Sequence, residues 1–165
     1  MSRLDSFIAR MQAQRDCLNF LADKVRALPG PILEVGLGNG RTYDHLRTLF
    51  PGRDIYVFER KVAAHPDCIP PDDRLFIGEA RESLPRAAKQ LGATAALIHT
   101  DLGTGDHQAN MAMGAWLGPA LDALAAAGGY VLANQPLEVP RWTRLPEPPG
   151  VPKDRYFLYR AGQSD

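Results

Sequence analysis

The chain has 165 residues, 45% of them hydrophobic and 23% charged, and its 19 Lys and Arg balance 19 Asp and Glu at a pI of about 6.9. That length buries one sizeable core but is short for two domains, and a formal charge of zero offers no long-range attraction to a phosphate backbone or an anionic membrane. No apolar run approaches the ~20 residues of a membrane helix, residues 1–5 lack the apolar stretch of a secretory leader, and Cys17 and Cys68 are too few for a disulfide framework or a four-thiolate zinc site. The expectation is a reduced, cytoplasmic, single-domain protein over residues 1–165.

Three segments follow in chain order. Residues 1–29 read as helix, because Leu4, Met11, Leu18 and Val25 recur every seven positions. Phe7, Gln14, Leu21 and Leu28 do the same, with Gln14 the one polar exception. Unbroken, such a helix runs ~38 Å, longer than one sheet face needs. Three readings are open. The helix breaks near Gln14 and Arg15; or its first half overhangs the sheet as a lid or a contact with a second copy of the chain, while Leu18 to Leu28 pack on the core; or it is a plain packing helix, with Leu4, Phe7, Ile8 and Met11 buried against the same core.

Residues 30–134 alternate short apolar runs with helical patterns. The runs 31–35, 55–58, 74–77, 95–99 and 130–133 carry no polar alternation, as expected of strands buried on both faces of a parallel sheet. Between them, helices are predicted over 41–50, 81–91 and about 106–127, stopped by Pro51-Gly52, Gly92 and Gly128-Gly129 respectively. This alternation predicts an α/β fold with a doubly wound, mostly parallel sheet. Residues 135–165 are proline-rich, and residues 142–145 and 156–160 read as an antiparallel hairpin. Only Gln135 to Pro140 link it to the fifth strand, fewer than a parallel crossover normally needs.

The first strand runs into Glu34-x-Gly36-x-Gly38-x-Gly40 and then a helix. Alternate glycines let the backbone turn tightly and approach a ligand, and the helix start presents unpaired N–H groups to it. Glu59 ends the second strand, where a carboxylate can accept ribose hydroxyls. The dinucleotide fingerprint G-x-G-x-x-G would need glycine at position 41, which is Arg41. That disfavours a nicotinamide-dependent oxidoreductase.

The loop instead resembles motif I of the class I S-adenosylmethionine-dependent methyltransferases, E/D-x-G-x-G-x-G, and the resemblance extends over roughly residues 30–160. It implies a Rossmann-like methyltransferase fold, S-adenosyl-L-methionine as cofactor, and methyl transfer to an acceptor. The cofactor-binding residues it implies are Glu34, Gly36, Gly38, Asn39, Gly40 and Thr42 of the loop, Glu59 and Arg60 at the ribose, Glu79 and Ala80 beside adenine, and Asp101 and Leu102 after the fourth strand. A lid over the methionine end would let Arg10 or Arg15 pair with the cofactor carboxylate.

The acceptor is less legible. The N/D-P-P-Y/F motif of nucleobase amino-methylating enzymes is replaced by Thr100-Asp101-Leu102-Gly103, so a small molecule is expected and nucleic acid is not. Asp101 and Asn134 match two positions of the metal-dependent catechol-type enzymes, but Ala133 stands where a second Asp would be, and no metal is expected. Asp101 and His107 are the candidate catalytic bases. His99 reads either as a further base or as a buried strand histidine, and Asp106 reads as a helix cap. Met111, Met113 and Trp116 read as core, and the Asn134-Gln135-Pro136 turn as a substrate contact. The rival reading is a cofactor-binding module or partner subunit without catalysis of its own.

Overall fold

The computed structural model describes residues 1–103 and 106–162. Its strands are β1 (Ile32–Val35), β2 (Ile55–Glu59), β3 (Leu75–Ile77), β4 (Ala95–Thr100), β5 (Ala125–Ala133), β6 (Thr143–Leu145) and β7 (Phe157–Arg160). They form one sheet in the order β3-β2-β1-β4-β5-β7-β6, the first five strands parallel and β7 antiparallel to both β5 and β6. Helices α1 (Arg3–Arg26) and α2 (Arg41–Leu49) cover one face, and α3 (Ala80–Leu91) and α4 (His107–Asp122) the other.

The apolar runs become strands because both of their faces are covered. Ile32, Val57, Leu97 and Leu132 pack under α1 and α2, while Leu33, Ile98 and Val131 pack under Leu84 of α3 and Leu117 and Leu121 of α4. Each such side chain taken from water contributes about 1.5–3 kcal/mol.

Helix α1 is continuous, and Gln14 does not break it. A capping box starts it: the Asp5 N–H donates to Ser2 Oγ, and the Ser2 N–H returns a bond to the Asp5 carboxylate, both at 3.0 Å. From Ala13 to Val25 one face is buried, whereas Leu4, Phe7 and Ile8 are exposed, so the front of the helix overhangs the sheet.

Two boundaries differ from expectation. Helix α4 begins under the Asp106 cap, whose carboxylate accepts from Gln108 and Ala109, but it ends at Asp122 instead of continuing to residue 127. There the Asp122 carboxylate is held by Arg141 and by Trp142 Nε1 at 2.8 Å. The alanines that follow enter β5, and Gly128 and Gly129 form a bulge in that strand, not a helix stop. The register with β4 shifts there, the Ala161 N–H donates to the Gly129 carbonyl at 2.8 Å, and a Cβ on Gly129 would stand 2.7 Å from the Ala95 oxygen.

The hairpin attaches without a crossover helix because β7, not β6, lies beside β5. The linker after β5 instead runs along α4, where Gly114 and Gly118 make room: a Cβ on Gly114 would lie 2.5 Å from the Pro136 oxygen and one on Gly118 3.0 Å from the Glu138 oxygen. The Leu137 N–H donates to Tyr159 Oη, fixing the linker to β7. Gly114→Ala should therefore destabilise the protein, although alanine gains about 1 kcal/mol of helix propensity over glycine, because overpacking of this kind costs about 1–3 kcal/mol. Urea denaturation checks this, and an unchanged or higher midpoint would show that the linker gives way freely.

Candidate functional site

At the carboxyl end of β1 the chain turns through Gly36, Gly38 and Gly40, all at positive φ (96°, 53° and 90°). Two of these glycines do different work. A Cβ on Gly40 would lie 2.5 Å from Cys68 Cβ, so Gly40 lets the loop pack on the segment after β2. A Cβ on Gly38 would meet no protein atom within 4 Å, so the space beside it is open. Gly40 puts no side-chain cap on α2, whose first N–H groups stay available.

Glu59, at the end of β2, is tied to the same loop. Its Oε2 accepts the N–H groups of Leu37 and Gly38, both at 2.9 Å, and its Oε1 accepts the Arg60 N–H at 2.8 Å. Three of roughly four acceptor positions on the carboxylate are thus used by backbone. Sequence reasoning did not find this loop-holding role.

Two cavities adjoin at Glu59, Leu102 and Gly103. The first, about 320 Å³, is lined by the glycine loop with Asn39, Arg41 and Thr42, by Glu34 and Asp101, and by Arg10, Met11 and Gln14 of α1. The second, about 540 Å³, is lined by Phe58, Arg60, Gly78, Glu79, Ala80 and Ser83 and by Met113 and Trp116 of α4. Met113 and Trp116 therefore form a cavity wall as well as packing on the core, with the Arg81 guanidinium 4.6 Å from the Trp116 ring. Arg60 and Glu79 face each other at 3.7 Å across the exposed rim.

The roof of the first cavity is a polar chain. Glu34 and His99 are register partners on β1 and β4, only 1% and 0% exposed, and His99 Nδ1 donates to the Glu34 carboxylate at 2.9 Å. Gln14 Nε2 donates to Asp101 Oδ2 at 3.0 Å and lies 3.2 Å from His99 Nε2. The amide nitrogen faces Asp101, and its second hydrogen can also bond His99 Nε2 whenever that nitrogen carries no proton. Arg10 completes the chain, 3.5 Å from Asp101 Oδ2. Burial opposes the charged imidazolium, but the charge and hydrogen bond of Glu34 outweigh it and raise the His99 pKa. Burial also raises that of Glu34, and His99 offsets this in part.

Gln14, which reads as a flaw in the heptad pattern, is thus a site residue. Its signal was one amide on an otherwise apolar stripe. Tyr156 is a second residue that sequence reasoning missed. It is buried beside this chain, its hydroxyl has no hydrogen-bond partner among the described residues, and burial and the field of Asp101 push its pKa up. Arg15 turns away and pairs with Asp16 at 3.3 Å.

His107 is exposed in the first turn of α4 and lines neither cavity. Asn134 donates to the Leu102 carbonyl at 2.9 Å. Among the described residues no group of three or more His, Cys, Asp or Glu is placed to hold a metal ion, and no helix is long and apolar enough to cross a membrane.

A parallel sheet with one antiparallel insertion, a triple-glycine turn and an acid closing the second strand define the S-adenosylmethionine-dependent class of methyltransferase folds. The chain belongs to the S-adenosyl-L-methionine methyltransferase family whose model matches residues 1–161, and its cofactor is S-adenosyl-L-methionine. It is similar to the S-adenosyl-L-methionine methyl transferase of Silicibacter pomeroyi DSS-3, with 44% identity over 98% of this chain and 99% of that one and a TM-score of 0.93. Human methyltransferase-like protein 13 in complex with SAH shares the fold at 15% identity over 97% and 81% of the two chains, TM-score 0.59. A mutant 16S rRNA (adenine(1408)-N(1))-methyltransferase from Catenulisporales acidiphilia, with cosubstrate SAM, does so at 17% identity over 87% and 90%, TM-score 0.51. No curated protein sequence matches the chain.

The buried pair sets a pH dependence. Because the folded His99 pKa is raised above its ordinary value, its contribution to stability is fully present below about pH 6.5 and is lost as the pH rises through the folded value. Compared with His99→Gln, whose side chain carries no proton to lose, the wild type should lose relative stability as the pH rises above about 6.5. Denaturant midpoints across that range test the sign, and a wild-type advantage that grows with pH would reverse it.

Proposed function

We propose that this chain works as one domain and transfers the methyl group of S-adenosyl-L-methionine to a small-molecule acceptor, with Asp101 as the base. When bound, the cofactor supplies a methyl group already activated by its sulfonium. The residues present fit it: the adjoining cavities meet at a carboxylate, and the Cβ-free space at Gly38 opens into one of them. Phe58, Glu79, Ala80 and Trp116 would flank adenine, Glu59 and Arg60 the ribose, and Gly36, Asn39, Gly40, Thr42 and Leu102 the amino-acid end. Glu34 lines that end, but its carboxylate is committed to His99.

The observation that carries the choice of base is the fixing of Asp101. Among the described residues, Gln14 and Arg10 both contact its Oδ2, which leaves Oδ1 to take the acceptor's proton. His107, exposed and outside both cavities, is not given that role. Arg10, Met11 and Gln14 of α1 wall the cavity beside Asp101, and the formal net charge of zero also favours a small acceptor over a nucleic acid.

Two measurements test this reading. With methyl-labelled cofactor and a small-metabolite pool, label should enter the small-molecule fraction, and Asp101→Asn should slow transfer by ~10²–10⁴, the scale of general-base catalysis. Label entering RNA or protein would overturn the acceptor class, and cofactor binding without any transfer would leave a binding module. Glu59→Ala should weaken S-adenosylhomocysteine binding by about 1.5–3 kcal/mol, since charged hydrogen bonds to ribose and loop are both lost. Unchanged affinity by calorimetry would remove Glu59 from the site.

A further inference from the structure

In the first cavity one charged side chain has no hydrogen-bonded partner among the described residues. The cavity's three carboxylates are all engaged: Glu34 by His99, Glu59 by the Leu37, Gly38 and Arg60 N–H groups, and Asp101 by Gln14 and Arg10. Its two guanidiniums are not equally engaged. Arg10 is drawn to Asp101. Arg41 lines the cavity at the first position of α2 and, among the described residues, has no hydrogen-bond or ion-pair partner; it meets only the Phe7 ring, 5.9 Å from its centroid. Arg10 stands 5.8 Å from the same centroid, so Phe7 on the overhanging part of α1 is contacted by both cations. A contact with an aromatic ring holds a guanidinium in place by the face of its π-system and leaves its N–H fork free.

We propose that Arg41 is the receptor for the carboxylate of the cofactor's amino-acid tail, with Phe7 holding its guanidinium in position. This rests on the cofactor placement proposed above, which puts the amino-acid end in the cavity that Arg41 lines. The tail carries one carboxylate, and a planar guanidinium with an uncommitted N–H fork matches it in a bidentate pair. Arg10, committed to Asp101, bounds the cavity without being the primary anion receptor. The residue that departs from the dinucleotide fingerprint thus becomes a determinant of specificity: it selects an adenosine bearing an amino-acid carboxylate over one that lacks it.

Calorimetry with two probes tests this on the full chain. S-adenosylhomocysteine carries the carboxylate, whereas 5′-methylthioadenosine keeps the adenosine and sulfur but lacks it. Arg41→Ala should weaken S-adenosylhomocysteine roughly 10- to 100-fold, the scale of charge-assisted hydrogen bonds, and leave 5′-methylthioadenosine unchanged. Arg41→Lys should fall between, because it keeps the charge and loses the fork. Arg10→Ala should cost S-adenosylhomocysteine clearly less than Arg41→Ala. The assignment is overturned if Arg41→Ala binds S-adenosylhomocysteine as the wild type does, if it loses both probes equally, or if Arg10→Ala carries the loss instead. A wild type that binds neither probe would overturn the cofactor placement itself, and the assignment with it.

Discussion

Glu34 and His99 sit opposite each other in the β1–β4 ladder, and neither reaches solvent. A carboxylate in that position without a partner would be strongly destabilising, and removing one member of such a pair typically costs about 3–5 kcal/mol. The pairing fixes more than charge. With Nδ1 given to Glu34, the imidazole plane is set and Nε2 points at α1, where one side chain of suitable length and polarity, Gln14, can meet it. Gln14 in turn reaches Asp101, so the setting of a 24-residue helix and the orientation of the proposed base are both tied to one buried Glu–His pair.

Much of the architecture was legible because burial on both faces leaves a plain mark, a run of apolar residues without alternation. The glycine loop was equally legible, since its residues answer to backbone geometry within a few positions. What escaped has a common cause: its partners lie far along the chain. Gln14 looks like a defect beside Arg15, but its contact with His99 spans 85 residues. The end of α4 was misplaced because Ala123 to Gly129 carry no period, and the partners that stop the helix at Asp122, Arg141 and Trp142, come about twenty residues later. Met113 and Trp116 looked like core because a cavity wall and a core wall use the same side chains.

Glu59 shows how a motif residue can serve two purposes. Read from sequence it is an acid at a strand end facing a ribose. In the structure it is also the latch that holds the Leu37 and Gly38 amides in a turn requiring positive φ at Gly38. The loop is therefore pre-shaped by the same carboxylate proposed to meet the ribose, so one group would serve both loop geometry and sugar recognition. Pre-organisation of this kind lowers the ordering cost of binding.

The overhang of α1 also bears on the order in which the molecule assembles. The helix carries its own start signal in Ser2 and Asp5, so its first turn needs nothing else. Its front half, however, leaves Leu4, Phe7 and Ile8 uncovered and is fastened by Gln14 to β4 and by the Arg155 guanidinium to the Ser6 carbonyl, 149 residues away. Closing spans of that length comes late, because the chain entropy must be spent before the contact returns anything. By loop-closure entropy alone, the overhanging front of α1 is expected to settle after the local contacts of the sheet, because its fastenings span 85 and 149 residues.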